Sequence, residues 1–224
     1  MDTFTFLVLA SLALAAVTIP NKVADWHREK ARALREWAER NGWRYEEKRS
    51  DLVDCFTGTP FRKRGGNVGH VLAGSHRGFQ VLQYQYSSTV FTGGTPTTRT
   101  FRITVVPTPV TMPIVEAEDG RVWRAIRHIL GTHTVGFDDG EFDAIYGVVA
   151  SDEGFARAVL TPDIRAWLAG LPPEGRFPFR FTGDHVICWK SALMGYELDL
   201  QPVNFLADLC EQLPSEVWER PWRD

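Results

Sequence analysis

Thr100-Phe101-Arg102-Ile103-Thr104-Val105-Val106 alternates without interruption, with Phe101, Ile103 and Val105 on one face and Arg102 and Thr104 on the other. A period of two marks a half-buried strand, because successive side chains of an extended chain point to opposite sides. Upstream, residues 67–75 and 79–87 read as two more strands around His76-Arg77-Gly78, with glycine supplying the permissive turn position. Together the three segments predict an antiparallel meander with one wet face. The Thr-, Gly- and Ser-rich stretch 88–98 reads as a loop. Further on, Phe177, Phe179 and Phe181 alternate, turn through Gly183-Asp184 and are answered by residues 186–190, the pattern of a second hairpin.

Helices alternate with these strands. Residues 22–41 place Val23, Trp26, Ala33, Leu34, Trp37 and Ala38 near helical spacing, carry i,i+4 pairs such as Arg32 with Glu36, and stop at Gly42. Trp43 and Tyr45 then alternate as a first short strand, and Leu52, Val53 and Phe56 form a short element expected to cap the sheet. Residues 120–130 give an apolar stripe of Val122, Trp123, Ile126 and Leu130 ended by Gly131. Residues 137–141 read as an acidic turn and 144–149 as a strand. Thr161-Pro162 has the form of an N-cap followed by Pro at the first helical position, opening a helix that ends at Gly170. A last helix spans 202–213 before Pro214. The fold class is α+β: antiparallel sheet built from hairpins, with packed helices.

An apolar run precedes all of this. Residues 4–19 carry no charge and end at Pro20. Sixteen residues rise about 24 Å as a helix, a minimal span of the hydrocarbon core. Its apolar residues point all round, which argues against a helix of the core. Lys22, Arg28, Lys30, Arg32 and Arg35 follow the run, and Asp2 is the sole side-chain charge before it. By the positive-inside tendency this predicts a transmembrane helix at residues 3–20, a single-pass protein of the cell membrane with its C-terminal domain cytoplasmic. The competing reading is an exported protein cleaved after Ala15, in the small-x-small stretch Ala13-Leu14-Ala15, although a basic n-region is missing. Residues 1–20 are thus the anchor and 21–224 a single α+β domain, the alternative being two subdomains divided near 107–120, a stretch punctuated by Pro107, Pro109 and Pro113.

The chain has 224 residues, 44% hydrophobic and 12% aromatic, a globular composition, and a net charge of −3 gives no reason to expect nucleic acid. Cys55, Cys188 and Cys210 are odd in number and widely spaced, a poor disulfide framework that suits a reducing compartment. His128 and His133 lack the i,i+4 spacing of a zinc helix, and Asp138, Asp139, Glu141 and Asp143 lack that of a calcium loop, so neither metal nor cofactor is expected. Gly65-Gly66-Asn67-Val68-Gly69 precedes a strand, whereas a phosphate cradle leads into a helix. Two binding sets remain for lipid headgroups or an acidic partner: Arg28, Lys30 and Arg32 in the first helix, and Arg62, Lys63 and Arg64 in a basic loop. The one nucleophile arrangement available is Cys55 with His70 or His76 as base, a hydrolase-type alternative that requires those side chains to converge.

Leu130-Gly131, Phe137, Glu141-Phe142-Asp143, Val148, Phe155-Ala156 and Leu160-Thr161-Pro162, with Trp37-Ala38, Asn41-Gly42-Trp43 and Gly58-Thr59-Pro60-Phe61, form a pattern over most of the chain. It resembles an actinobacterial-type family of N-terminally membrane-anchored α+β proteins of unknown function. The resemblance implies a topology and a membrane association, and carries no catalytic residues with it. The expectation is a membrane-anchored cytoplasmic binding or scaffold module with a protein partner at the membrane.

Overall fold

A computed structural model describes residues 25–61, 65–92, 94–120, 133–192, 198–219 and 222. The anchor run, the basic loop Arg62-Lys63-Arg64 and the helix expected after Gly120 lie outside the described residues. Among the described residues, no helix is long and apolar enough to cross a membrane.

Helix α1 spans 25–40. It buries Ala31, Leu34 and Ala38, the three- and four-residue spacing that puts side chains on one face. Its end is a Schellman cap: Gly42 has φ +71°, Trp43 N–H donates to the Ala38 carbonyl at 2.8 Å, and Gly42 N–H donates to Glu39. The cap turns the chain into β1 (Arg44–Lys48) and drops the Trp43 indole onto the sheet. Its seat is Gly74, where a Cβ would stand 2.3 Å from Trp43 Cδ2. Gly74→Ala therefore displaces the indole and lowers stability by about 1–3 kcal/mol. The check is the denaturant midpoint together with amide exchange in α1, which should quicken more than in the remote helices.

The remaining strands are β2 (Gly66–His76), β3 (Phe79–Thr92), β4 (Thr95–Asp119), β5 (Thr134–Val135), β6 (Tyr146–Ala150) and β7 (Phe179–Ser191). They form one sheet in the order β1-β2-β3-β4-β6-β5, with β7 also paired to β4. Every pairing is antiparallel. The first hairpin forms as its alternation predicts, turning at Arg77 and Gly78. The stretch expected as a loop at 88–98 is instead paired ribbon, from Ser88 opposite Arg99 to Thr92 opposite Thr95. Threonine tolerates extended backbone as readily as a loop, so composition misled there.

The second expected hairpin is also different. Residues 179–191 are one strand, and both its arms pair with β4: Phe179 opposite Ala117, Ser191 opposite Phe101. The register shifts between Pro107 and Val115, and Gly183 has φ +55°. Trp189 N–H donates to the Pro178 carbonyl at 3.2 Å. Eleven extended residues would span about 36 Å, so the β4–β7 ribbon folds back on itself at Gly183. β4 runs through 107–119 without leaving the sheet.

Helices α2 (Gly140–Ile145), α3 (Glu153–Val159), α4 (Pro162–Gly170), α5 (Gln201–Gln212) and α6 (Ser215–Glu219) complete the domain. Asp139, Asp152 and Thr161 cap α2, α3 and α4 by accepting from Phe142, Phe155 and Ile164 N–H. The acidic turn expected at 137–141 is thus partly helix. Helices and sheet share a large core around Phe142, Phe155, Phe179, Phe181 and Leu206. The other face of β2, β3, β4 and β7 carries a second core of Val71, Tyr84, Tyr86, Ile103 and Val105, capped as expected by Leu52, Val53 and Phe56.

With both faces covered, the expected wet face is dry. Thr104 is fully buried and Arg102 is 4% exposed. Alternation reported the strand correctly, and buried polar partners stand where water was expected.

Candidate functional site

The histidines and cysteine singled out for catalysis each have a partner of their own. His70 lies in the bulge between Gly69 and Leu72, with φ +52°, and its Nδ1 is 2.8 Å from Tyr45 Oη. Burial foremost, then Lys30, lowers its pKa to about 4, and burial raises Tyr45 to about 12. His76 Nε2 is 2.8 Å from Asn204 Oδ1 of α5. Cys55 Sγ donates to the Asp51 carbonyl at 3.1 Å and lies beside the second core, where Tyr84 feels it. Tyr45 packs on the first core, across the sheet. The convergence that a Cys–His pair needs is not formed by these contacts. Burial and Asp51 also push the Cys55 thiol up, the opposite of an activated nucleophile.

The thiols therefore sort by exposure: Cys55 is exposed, Cys188 and Cys210 buried, with burial raising Cys210 to about 12. One thiol should react with an aromatic disulfide reagent in the native chain, slowly at pH 7, and all three in denaturant. Loss of the native signal in Cys55→Ser checks the assignment.

The cations of α1 are locally paired. Arg28 meets Asp25 at 3.2 Å, Arg32 meets Glu36 at 3.7 Å, and Lys30 Nζ stands 4.5 Å over the Trp26 ring. Arg28 and Arg32 remain exposed.

A trough of about 550 Å³ opens on the sheet face that carries the second core, beyond the cap of Leu52 and Phe56. One register row forms its floor: Arg44 opposite Ala73, Ala73 opposite Leu82, Leu82 opposite Val105. Ser75 and Gln80 line one side, and His185 stands near Pro107. The His185 ring packs edge-on to Phe56 at 5.5 Å, and its Nδ1 lies 2.7 Å from Asp184 Oδ1. The volume suits a small ligand or a short chain segment, and the floor is apolar with a cation at one end. Nothing in the sequence singled this row out, because Arg44, Ala73, Leu82 and Val105 come from four strands.

Two buried ionic clusters hold the surroundings. Arg180 donates from Nε to Glu116 Oε2 at 2.6 Å and from its terminal nitrogens to the Thr57 and Thr59 carbonyls, stacking 5.4 Å from the Trp189 ring. It pins the capping segment to the sheet. Gly58 (φ +77°) lies so close that a Cβ would stand 3.1 Å from the guanidinium. The second cluster joins α5 to the sheet: Asp199 Oδ2 meets Arg102 at 3.3 Å and accepts from Lys190 Nζ, while Gln83 Nε2 donates to Thr104 Oγ1 and to the Asp199 carbonyl.

These observations define an α+β domain with one folded-back antiparallel sheet, helices on one face and a shallow trough on the other. No protein-family model and no curated protein matches the chain. Among solved structures it is similar to the crystal structure of the mycobacterial trehalose monomycolate transport factor A, TtfA, with a TM-score of 0.58 at 14% identity, covering 88% of this chain and 99% of that one. At that identity the likeness is one of fold, shared with a bacterial protein.

Proposed function

We propose that the chain is a membrane-associated accessory module: residues 3–20 anchor it, the domain is cytoplasmic, and the trough receives a partner or an amphipathic ligand. The trough carries this reading, since an apolar floor ended by Arg44 and flanked by Ser75 and Gln80 suits binding without chemistry. The fold likeness to a protein named a transport factor supports an accessory role at the membrane. Arg28, Lys30 and Arg32, and Arg62, Lys63 and Arg64 in the sequence, would meet headgroups or an acidic partner.

Two measurements test the reading. The full chain should sediment with membranes and leave them only in detergent, and a reporter at the C-terminus should be active in the cytoplasm. Release by salt, or a mature N-terminus after Ala15, would overturn the anchor. Arg44→Glu should reduce co-purification of the partner from mild detergent, and an unchanged set of companions would count against the trough.

A further inference from the structure

The β3–β4 ribbon ends with one face open to solvent, while Val90 on its other face is buried. Phe91 is 77% exposed, the largest value among the exposed large hydrophobic side chains of the described residues. It faces Pro96 across the ribbon. Behind that pair on the same side come Thr89 and Thr98, with hydroxyl oxygens 3.3 Å apart, then Ser87 and Thr100. Residues 87–100 include no acidic residue, and Arg99 is their one cation.

Helix α1 shows which way this tip points. Its C-terminal turn bonds Trp43 at Ala38; one turn earlier, Arg35 stands 5.5 Å from the Tyr45 ring, and Tyr45 pairs with Leu72. Earlier still, Lys30 and His27 lie close enough to act on the charge of His70, next to Gly69, which is paired to Gln85. Falling residue number in α1 thus runs along β2 and β3 from the Arg77 turn toward Gly66 and Ser88. The start of α1, with half-exposed Trp26, and the Phe91 tip lie at the same end of the domain. The chain that precedes α1 is the one that carries the apolar run 4–19.

We infer that the β3–β4 tip is a second contact with the lipid surface, Phe91 and Pro96 entering the headgroup boundary while the threonine hydroxyls and Arg99 meet the headgroups. This rests on the membrane-anchored reading above. An aromatic ring at a tip without acidic neighbours is suited to that boundary, where anionic lipids repel carboxylates and amphipathic or aromatic side chains settle. Trp26 at the start of α1, 44% exposed, is a second exposed large aromatic toward this end. Two contacts fix the orientation of the domain. Leu82 of the trough floor is nine residues from Phe91 along β3, about 30 Å, so the trough lies far from this contact.

The test uses the full chain in a Cys55→Ser background, reconstituted in phosphatidylcholine–phosphatidylglycerol vesicles that carry a nitroxide on some headgroups. A fluorophore is placed at Thr98→Cys, beside the tip, or at Ser75→Cys, at the far end. Because an interfacial group lies ~5–10 Å into the boundary, quenching at position 98 should exceed that at position 75 by about twofold or more and fall to the level of position 75 in Phe91→Asp. Chains that float with the vesicles but show equal quenching at both positions, or quenching at 98 indifferent to Phe91→Asp, overturn the second contact and leave the anchor standing. Chains that fail to float overturn the anchored reading and the contact together.

Discussion

Replacing Arg180 with methionine lowers the unfolding free energy by about 3–5 kcal/mol at neutral pH, the cost of leaving a buried charge uncompensated. The Arg180 side chain is 5% exposed and that of Glu116 13%. The guanidinium is the donor to Glu116 and to two carbonyls of the capping segment, so the variant also frees the segment that covers the second core. The effect carries a pH signature. Burial, opposed by Arg180, already holds the Glu116 carboxyl above its ordinary range. A raised folded pKa means that the folded chain binds the proton more tightly than the unfolded one, so stability falls as pH rises through that pKa. Without Arg180 the pKa climbs further. The loss should therefore be smallest in acid, where Glu116 is neutral, and grow toward pH 7. Urea titrations of wild type, Arg180→Met and Arg180→Met/Glu116→Leu across pH 4–8 decide it: the double variant should recover most of the loss. A single variant with a pH-independent deficit would assign the effect to packing alone.

The second large effect is expected at Asp199. It answers Arg102 and Lys190, and its Oδ1 accepts from Gln201 N–H at 2.9 Å at the start of α5. Asp199→Ala removes the carboxylate that Arg102 and Lys190 share and the acceptor of the first α5 amide, a loss of about 3 kcal/mol. Burial would raise the Asp199 pKa, but Lys190, the Gln201 amide and Arg102 outweigh it and hold it below the ordinary range. A depressed carboxylate contributes stability above its unfolded pKa of about 4 and loses it as pH falls through the folded value. The variant should thus be deficient at neutral pH and converge on wild type in acid, measured by thermal unfolding at several pH values. Equal deficits at every pH would show that only the hydrogen bond to the Gln201 amide mattered.

Where side chains fall into a period, the sequence was informative. The β2–β3 hairpin, helices α4 and α5 and the Gly42 cap are all visible as spacing plus a capping or terminating residue. Arg102 and Thr104 mark where that reasoning stops. Alternation shows that two faces differ, but what covers the polar face is set by Gln83 and by Asp199, almost a hundred residues later. The ribbon at 88–98 was misread because threonine runs serve loops and strands alike. The arms of β7 looked like mutual partners because Gly183-Asp184 is a plausible turn, and their common partner β4 is distant in sequence. The trough was invisible for the same reason: a row across strands has no sequence signature. For Cys55, His70 and His76, residue type suggested chemistry, while the bulge at His70 and the carbonyl at Asp51 show local structural uses.

The folded-back ribbon has a consequence for how the chain is made. Val105 of β4 has Ile187 of β7 as its register partner. At about 5–20 residues per second, synthesis takes roughly 4–16 s to cover that interval. Throughout it one edge of the longest strand stands open, with apolar Ile103 and Val105 beside it, the state in which nascent β proteins pair with the wrong neighbour. Insertion of the proposed anchor during those seconds would confine the open edge to one face of a bilayer before its partner strand exists.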